Sequence, residues 1–217
     1  MAKLLDGLRV ACLATDGVEG IELEEPVAAL TGFGASVDII SDRPDRIQAF
    51  RHHDKSKTFD VDRTFAEASA SEYDALLLPG GALNADALRT VPEAVKFVQE
   101  IFEAHKPVAV ICHGPWILLN ARVAAGLTLT SWPSLQVDLE NGGAHWVDAE
   151  VCVGDRIVSS RKPDDLPAFI REMLDLFASL PEKGTARDIW RAKAGKGDEV
   201  DEASRESFPA SDSPSSW

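Results

Sequence analysis

The sequence predicts an α/β fold in which helices sandwich a doubly wound, mostly parallel sheet. Two observations support this fold class. Short apolar runs, typical of strands covered on both faces, alternate along the chain with segments whose apolar residues recur at helical spacing. A strand pattern at residues 75–78, a helix pattern at 91–105 and a strand pattern at 108–111 also follow one another, and such a unit joins parallel strands through a right-handed crossover.

The first half of the chain supplies the opening strands. GLRVACLA at residues 7–14 and SVDII at 36–40 have the apolar character of strands. The segment IELEEPVAALTGFG between them has helical spacing and ends in glycine. Residues 41–70 are polar, with a short alternation around FDVDRTF, and this pattern favours a small edge hairpin and a connection over a core element.

The second half completes the sheet. DALLLPGG at residues 74–81 is a buried strand that ends in a glycine turn, VPEAVKFVQEIFEAH is an amphipathic helix, and VAVICHG is the next strand. The remaining predicted elements are a helix from residue 115 to about 124, strands near LTLT, AEVCV and RIVSS, and a final helix from about 164 to 180. The ligand crevice of such a sheet lies at the carboxyl ends of its strands.

Composition and charge restrict the classes of function. A formal net charge of -14 repels phosphate backbones and anionic lipids, so we expect neither nucleic-acid backbone binding nor membrane binding. The sequence has no apolar run long enough to span a bilayer and no secretory signal pattern, which predicts a cytoplasmic protein. The three cysteines, Cys12, Cys112 and Cys152, lie far apart in the sequence, and we interpret all three as thiols.

The stretch KPVAVICHGPW indicates where chemistry occurs. Cys112 follows a buried strand, and Gly114 with Pro115 then opens a helix. A sharp turn of this kind directs the sulfur into the crevice, and the helix dipole favours the thiolate. In the same arrangement in α/β hydrolases, the N–H after the nucleophile helps to form the oxyanion hole, so we expect donors at His113 and, from the neighbouring PGG turn, at Gly81. A cysteine in an apolar strand can alternatively be a small buried hydrophobe.

Four segments carry a resemblance to a known family. LLLPGGALNADALR, KPVAVICHGPW, TSWPSLQVDLENGGAHWVDAEV and VSSRKPDDLPAF together resemble the DJ-1/PfpI superfamily, in particular its PfpI-like branch. The resemblance implies a flavodoxin-like sandwich over residues 1–181. Residues 182–217 lie beyond it and are polar, with repeated serine and proline in the final segment ESFPASDSPSSW, which predicts a mobile C-terminal tail.

The resemblance also implies a set of site residues. Cys112 would be the nucleophile, with His113 beside it and a glutamate supplied by the loop after the first strand. Setting TDGVEGIELEEP against the acidic pattern of the family, with Pro26 as anchor, assigns that glutamate to Glu19; without the resemblance, Glu19 would be one more solvated acid. The implied site contains no metal and no organic cofactor.

The pocket around the nucleophile departs from the pattern of PfpI-like relatives. Gly80 belongs to the shared PGG turn, but Trp116 stands where relatives often have glutamine, and Trp132 stands where some have tyrosine. Ala85 replaces an acidic residue implicated in a peptidase triad. These differences predict a more apolar pocket wall and weaken the peptidase interpretation.

The resemblance implies a cysteine-dependent stress-protection enzyme, a deglycase or glyoxalase-like hydrolase acting on small-molecule carbonyls or glycated proteins. It also implies a homodimer or hexamer. An intracellular cysteine peptidase and a non-enzymatic redox sensor or chaperone remain alternatives. A glutamine amidotransferase is disfavoured, because it requires a later His-x-Glu pair and His145 with Glu150 has the wrong spacing.

Overall fold

The computed structural model of the protein describes residues 4–180. Its strands are β1 Arg9–Leu13, β2 Val18–Glu19, β3 Ser36–Ser41, β4 Arg46–Arg51, β5 Asp54–Asp60, β6 Arg63–Thr64, β7 Ala75–Leu78, β8 Val108–Ile111, β9 Thr128–Leu129, β10 His145–Trp146, β11 Val151–Val153 and β12 Ile157–Ser160. Its α-helices are α1 Gly20–Gly32, α2 Ala82–Leu88, α3 Pro92–Glu103, α4 Trp116–Asn120, α5 Gln136–Asn141 and α6 Leu166–Ala178.

The central sheet has seven strands in the order β11-β12-β8-β7-β1-β3-β6. All neighbours in it are parallel except β11, which runs antiparallel to β12 at one edge. The chain moves outward from β1 to β3, then returns to place β7 on the other side of β1. The carboxyl ends of β1 and β7 therefore flank a topological switch point, where ligands of doubly wound sheets bind.

The sheet is covered on both faces, as the apolar runs predict. Along β1, Val10 and Cys12 belong to one buried cluster and Ala11 and Leu13 to the other, because successive side chains of a strand point to opposite faces. Helices α1 and α6 pack on the first face, and α3 with α4 on the second. The predicted sandwich is confirmed.

Two smaller sheets lie outside the central one. The polar segment predicted to form an edge hairpin contains antiparallel β4 and β5, which join β2 in a three-stranded sheet. The predicted LTLT strand is wrongly assigned to the central sheet, since β9 pairs only with β10 among the described residues. The Glu19 N–H at the end of β2 donates to the Gly80 carbonyl after β7, and the Trp132 N–H after β9 donates to the Cys112 carbonyl after β8, so both smaller sheets adjoin the carboxyl end of the central sheet.

Several boundaries differ from the prediction. The helix after Cys112 was expected to reach about residue 124, but α4 ends at Asn120, and α2 was not predicted at all. The short α4 weakens the expected contribution of a helix dipole to the thiolate. Within residues 4–180 no helix is long and apolar enough to cross a membrane. The predicted tail, residues 182–217, lies outside the described residues.

Candidate active site

Cys112 occupies a strained turn at the carboxyl end of β8. Its φ is 60°, in the left-handed region that side chains other than glycine seldom adopt. Two hydrogen bonds hold this backbone in place: the Cys112 N–H donates to the Ser160 carbonyl at 3.0 Å, and the Cys112 carbonyl accepts from the Trp132 N–H at 2.9 Å. The residue is 7% exposed, so little of it is accessible to solvent.

Both predicted oxyanion donors lie at this sulfur. The backbone N–H groups of Gly81 and His113 hydrogen-bond to Cys112 and act to lower the pKa of its thiol, against burial, which acts more strongly to raise it. Gly81 has a φ of 89°, and a Cβ there would lie 2.3 Å from the Gly17 carbonyl oxygen. Only glycine can bring this N–H to the sulfur without displacing the loop after β1.

The carboxyl group that faces the thiol belongs to Glu22, and the assignment to Glu19 is corrected. Glu22 lies in the first turn of α1 and is 0% exposed. Its Oε2 accepts the Gly80 N–H at 3.0 Å, and the carboxyl interacts with the Cys112 side chain. A Cβ on Gly80 would lie 2.5 Å from Glu22 Oε2 and 2.6 Å from the Cys112 Cβ, so Gly80 allows the two groups to approach.

Glu19 is directed elsewhere because it ends β2. There its backbone pairs with Phe50 of β4, and its Oε2 accepts the His52 N–H at 2.9 Å. The carboxylate of Glu19 thus fastens the β4–β5 hairpin to the loop after β1. Pairing with β4 fixes the direction of this side chain before α1 begins.

The Glu22 carboxyl keeps its proton at neutral pH. Burial, followed by the charge on Glu19, raises the pKa of Glu22 to about 8. Its Oε2 accepts the Gly80 N–H, and its Oε1 is buried with no hydrogen-bond partner in residues 4–180. A protonated carboxyl can donate a hydrogen bond, and this one interacts with the Cys112 side chain.

Burial and a nearby Glu22 charge raise the pKa of the Cys112 thiol. A protonated Glu22 carries no such charge, so the second of these effects disappears when the carboxyl is neutral. A hydrogen bond from the thiol to the carboxyl also raises this pKa, whereas a hydrogen bond donated by a protonated carboxyl to the sulfur favours the thiolate. The ionisation of the thiol is therefore coupled to that of the carboxyl, and the Gly81 and His113 N–H groups act on the same sulfur.

An aromatic wall lines one side of the thiol. The His113 Nδ1 is 3.3 Å from the Cys112 sulfur, and its ring stacks on Trp132 with 5.9 Å between centroids. Trp116 packs against the same ring at 6.1 Å. Burial lowers the pKa of His113, so the imidazole is neutral at pH 7. Of the expected site residues, all except Glu19 are therefore brought together at the crevice; their catalytic roles remain predictions.

The two tryptophans of the wall differ in how they are held. The Trp116 indole N–H donates to Asp138 at 2.8 Å, and the Arg89 guanidinium lies over its ring at 4.8 Å. The Trp132 indole N–H has no partner in the described part of the chain, and this side chain is 39% exposed. Trp116 is a fixed surface, whereas Trp132 is free to contact a ligand.

Sequence reasoning missed Glu22, although a signal for it was present. Glu22, Pro26 and Leu30 recur every four residues and form one buried stripe of α1. A carboxylate on the apolar stripe of a helix has no reason to be there for packing alone. The stripe would have identified Glu22 as the acid that faces the sheet.

Comparison with known proteins finds relatives along most of the chain. The DJ-1/PfpI family model matches residues 8–176. YraA of Bacillus subtilis, whose name proposes a cysteine protease, is 40% identical over 168 residues, which are 77% of this chain and 97% of that protein. Deglycase TK1284 of Thermococcus kodakarensis is 40% identical over 169 residues, 78% of this chain and 99% of that protein.

Solved structures show the same fold. A two-domain protein of Anabaena variabilis, containing DJ-1/ThiJ/PfpI-like and ferritin-like domains, superposes with a TM-score of 0.73 at 30% identity. The match covers 86% of this chain and 57% of that one. The predicted resemblance is confirmed, and the chain belongs to the DJ-1/PfpI family.

Proposed function

We propose that the protein is a cysteine-dependent stress-protection enzyme that acts on reactive α-oxoaldehydes and on the adducts they form with proteins. One observation carries the proposal: a buried thiol faces two backbone N–H groups and a carboxyl that keeps its proton. This arrangement suits a substrate with an electrophilic carbonyl, whose oxygen needs stabilisation and a proton once the sulfur has attacked. Curated relatives named as deglycases support the same class of substrate.

The chemistry balances without an oxidant. The Cys112 thiolate adds to the aldehyde carbon of methylglyoxal, and the electron pair of the C=O bond moves to its oxygen, which Gly81 and His113 N–H groups stabilise. Protonation gives a hemithioacetal. Moving the C1 proton to C2, and the proton of the C1 hydroxyl to the C2 oxygen, yields a lactoyl thioester, and one water hydrolyses it to lactate and the free thiol. Glu22 and His113 are the groups placed to move these protons.

A comparison of cysteine variants tests this function. We expect the wild type to consume methylglyoxal and release D- or L-lactate, and Cys112→Ala to fall to the uncatalysed background because the nucleophile is lost. Cys152→Ala is the matched control, since that free thiol lies half-buried on the edge strand β11. Lactate production that survives in Cys112→Ala would contradict the proposal.

The cysteine–histidine contact favours one second candidate, an intracellular peptidase. A neutral His113 beside the thiol could serve as its base. However, no carboxylate in residues 4–180 hydrogen-bonds to this ring, and an amide is a poorer electrophile than an α-oxoaldehyde. Casein cleavage that disappears in Cys112→Ala, together with absence of lactate production, would reverse the order of the two candidates.

A further inference from the structure

The amide side chain of Asn84 occupies the space between the ends of β1 and β7. It lies in the first turn of α2 and is 1% exposed. Its Oδ1 accepts the Thr15 N–H at 2.8 Å, and its Nδ2 donates to the carbonyls of Pro79 at 3.2 Å and Gly80 at 3.0 Å. One amide thus joins the loop after β1 to two consecutive carbonyls of the PGG turn.

These contacts fix the orientation of the peptide group between Gly80 and Gly81. A peptide group is planar and trans, so its C=O and N–H point in opposite directions. Asn84 Nδ2 holds the Gly80 carbonyl on one side. The Gly81 N–H is therefore on the other side, where it reaches the Cys112 sulfur.

The preceding peptide group follows the same geometry. The Pro79 carbonyl accepts from Asn84, and the Gly80 N–H on the opposite side donates to Glu22 Oε2 at 3.0 Å. Both carbonyls of the turn thus face Asn84, and both N–H groups face the reacting pair. A rotation of either peptide group would remove an N–H from the site.

The turn cannot hold this orientation by itself. Gly80 and Gly81 have no Cβ to restrict rotation of the peptide group between them, and no side chain caps the start of α2. The other donor to the Gly80 carbonyl is the Glu19 N–H, at a longer 3.4 Å. An external group must select the orientation, and Asn84 is the buried side chain in contact with both carbonyls.

We infer that Asn84 is a positioning residue, whose amide keeps the Gly80 and Gly81 N–H groups directed at Glu22 and Cys112. The inference rests on the Cys112 chemistry proposed above. It does not require that methylglyoxal be the substrate. Its consequence is that an amide with no contact to substrate controls the reactivity of the thiol.

Alkylation of Cys112 by iodoacetamide, followed by mass spectrometry across pH, tests the inference independently of turnover. In Asn84→Asp, the side chain keeps its shape but presents oxygen atoms to two carbonyls, which favours rotation of the peptide groups. We expect Cys112 alkylation at pH 7 to fall about tenfold, and its midpoint to move to higher pH, because the thiolate loses an N–H donor. Asn84→Ala, which removes the donor without adding repulsion, should show a smaller shift in the same direction.

Gln99→Glu is the matched control, because it makes the same amide-to-carboxylate change on α3, where Gln99 Nε2 donates to the Ala121 carbonyl at 3.2 Å. It should leave the alkylation profile unchanged. Where lactate production is present, kcat should fall about 10-fold to 100-fold in Asn84→Asp with KM nearly constant, since an oxyanion donor acts mainly in the transition state. A folded Asn84→Asp with the wild-type alkylation profile would overturn the inference, and so would failure of both Asn84 variants to fold. A normal shift without lactate production in the wild type would remove only the proposed function.

Discussion

Glu19 and Glu22 are separated by only three positions in the sequence, are both buried, and have opposite roles in the structure. Glu19 ends β2 and accepts the His52 N–H, whereas Glu22 lies on the buried stripe of α1 and faces Cys112. The change from strand to helix between them turns their side chains in different directions. The secondary-structure element that carries an acidic residue therefore decides whether its side chain faces the thiol. Position in the sequence alone does not distinguish Glu19 from Glu22.

The largest expected difference between these glutamates is in the pH dependence of stability. With a pKa raised from 4.5 to about 8, folded Glu22 keeps a proton that the unfolded chain has lost. Between those values the free energy of unfolding should fall by about 1.4 kcal/mol per pH unit as pH rises. The stabilisation that protonated Glu22 gives the folded state is fully present below about pH 4.5 and is lost toward pH 8.

Urea unfolding at pH 5 and pH 8 measures this dependence. In Glu22→Gln, most of the fall in the free energy of unfolding between these pH values should be absent, since an amide does not titrate. Glu19→Gln should still show this fall, but over a narrower pH range, because the Glu19 charge contributes to the raised pKa of Glu22. Similar slopes in wild type and Glu22→Gln would show that Glu22 does not hold a proton in the folded state.

The next difference concerns turnover. Glu22→Gln should lower kcat for methylglyoxal about 100-fold, because an amide cannot transfer a proton. Glu19→Gln should remain within about fivefold of wild type, since its carbonyl can still accept from His52. Initial rates of lactate formation measure both, and indistinguishable variants would remove Glu22 from the reaction.

A smaller effect separates the two roles of Glu22 as hydrogen-bond donor and as acid. Glu22→Gln retains an N–H for the sulfur, so iodoacetamide alkylation of Cys112 at pH 7 should stay within about threefold of wild type. Glu22→Leu removes the donor and should slow alkylation about tenfold, the equivalent of about 1.4 kcal/mol. Cys152 in the same samples provides the reference thiol, and equal rates in the two variants would show that no donor acts on the thiolate.

The smallest expected effect is local to the hairpin. Glu19→Leu removes the acceptor of the His52 N–H and should cost about 1 kcal/mol of local stability. Amide exchange at His52 should accelerate about fivefold. The Ile39 N–H, which donates to Asp62 at 2.7 Å in β3, is the matched control and should keep its wild-type exchange rate.

Much of this fold could be predicted from local patterns. The buried strands β1, β7 and β8 are short apolar runs with clear ends, and α3 has a strong apolar face. The short helix α2 and the separate pairing of β9 with β10 could not be predicted, because both depend on contacts between distant parts of the chain. Tertiary contacts outweigh weak local preference in such elements.

The site divides in the same way. The positions of Cys112, His113 and Gly81 follow from strand ends, which are visible in sequence. The orientation of Glu22 depends on the exact residue where β2 stops and α1 begins, and boundaries of this kind are shifted easily by tertiary contacts. The role of Asn84 is harder still to predict from sequence, because it depends on contacts with three backbone groups in two separate loops.

The left-handed backbone at Cys112 implies a conflict between durability and reactivity. Glycine adopts a φ near 60° without the steric penalty that a Cβ carries there, which is about 1 kcal/mol. Cys112→Gly should accordingly be more stable than Cys112→Ala, although both lack the sulfur. The native chain thus keeps a side chain at a backbone conformation that favours glycine, a cost in stability for which the proposed reactivity of this thiol would account.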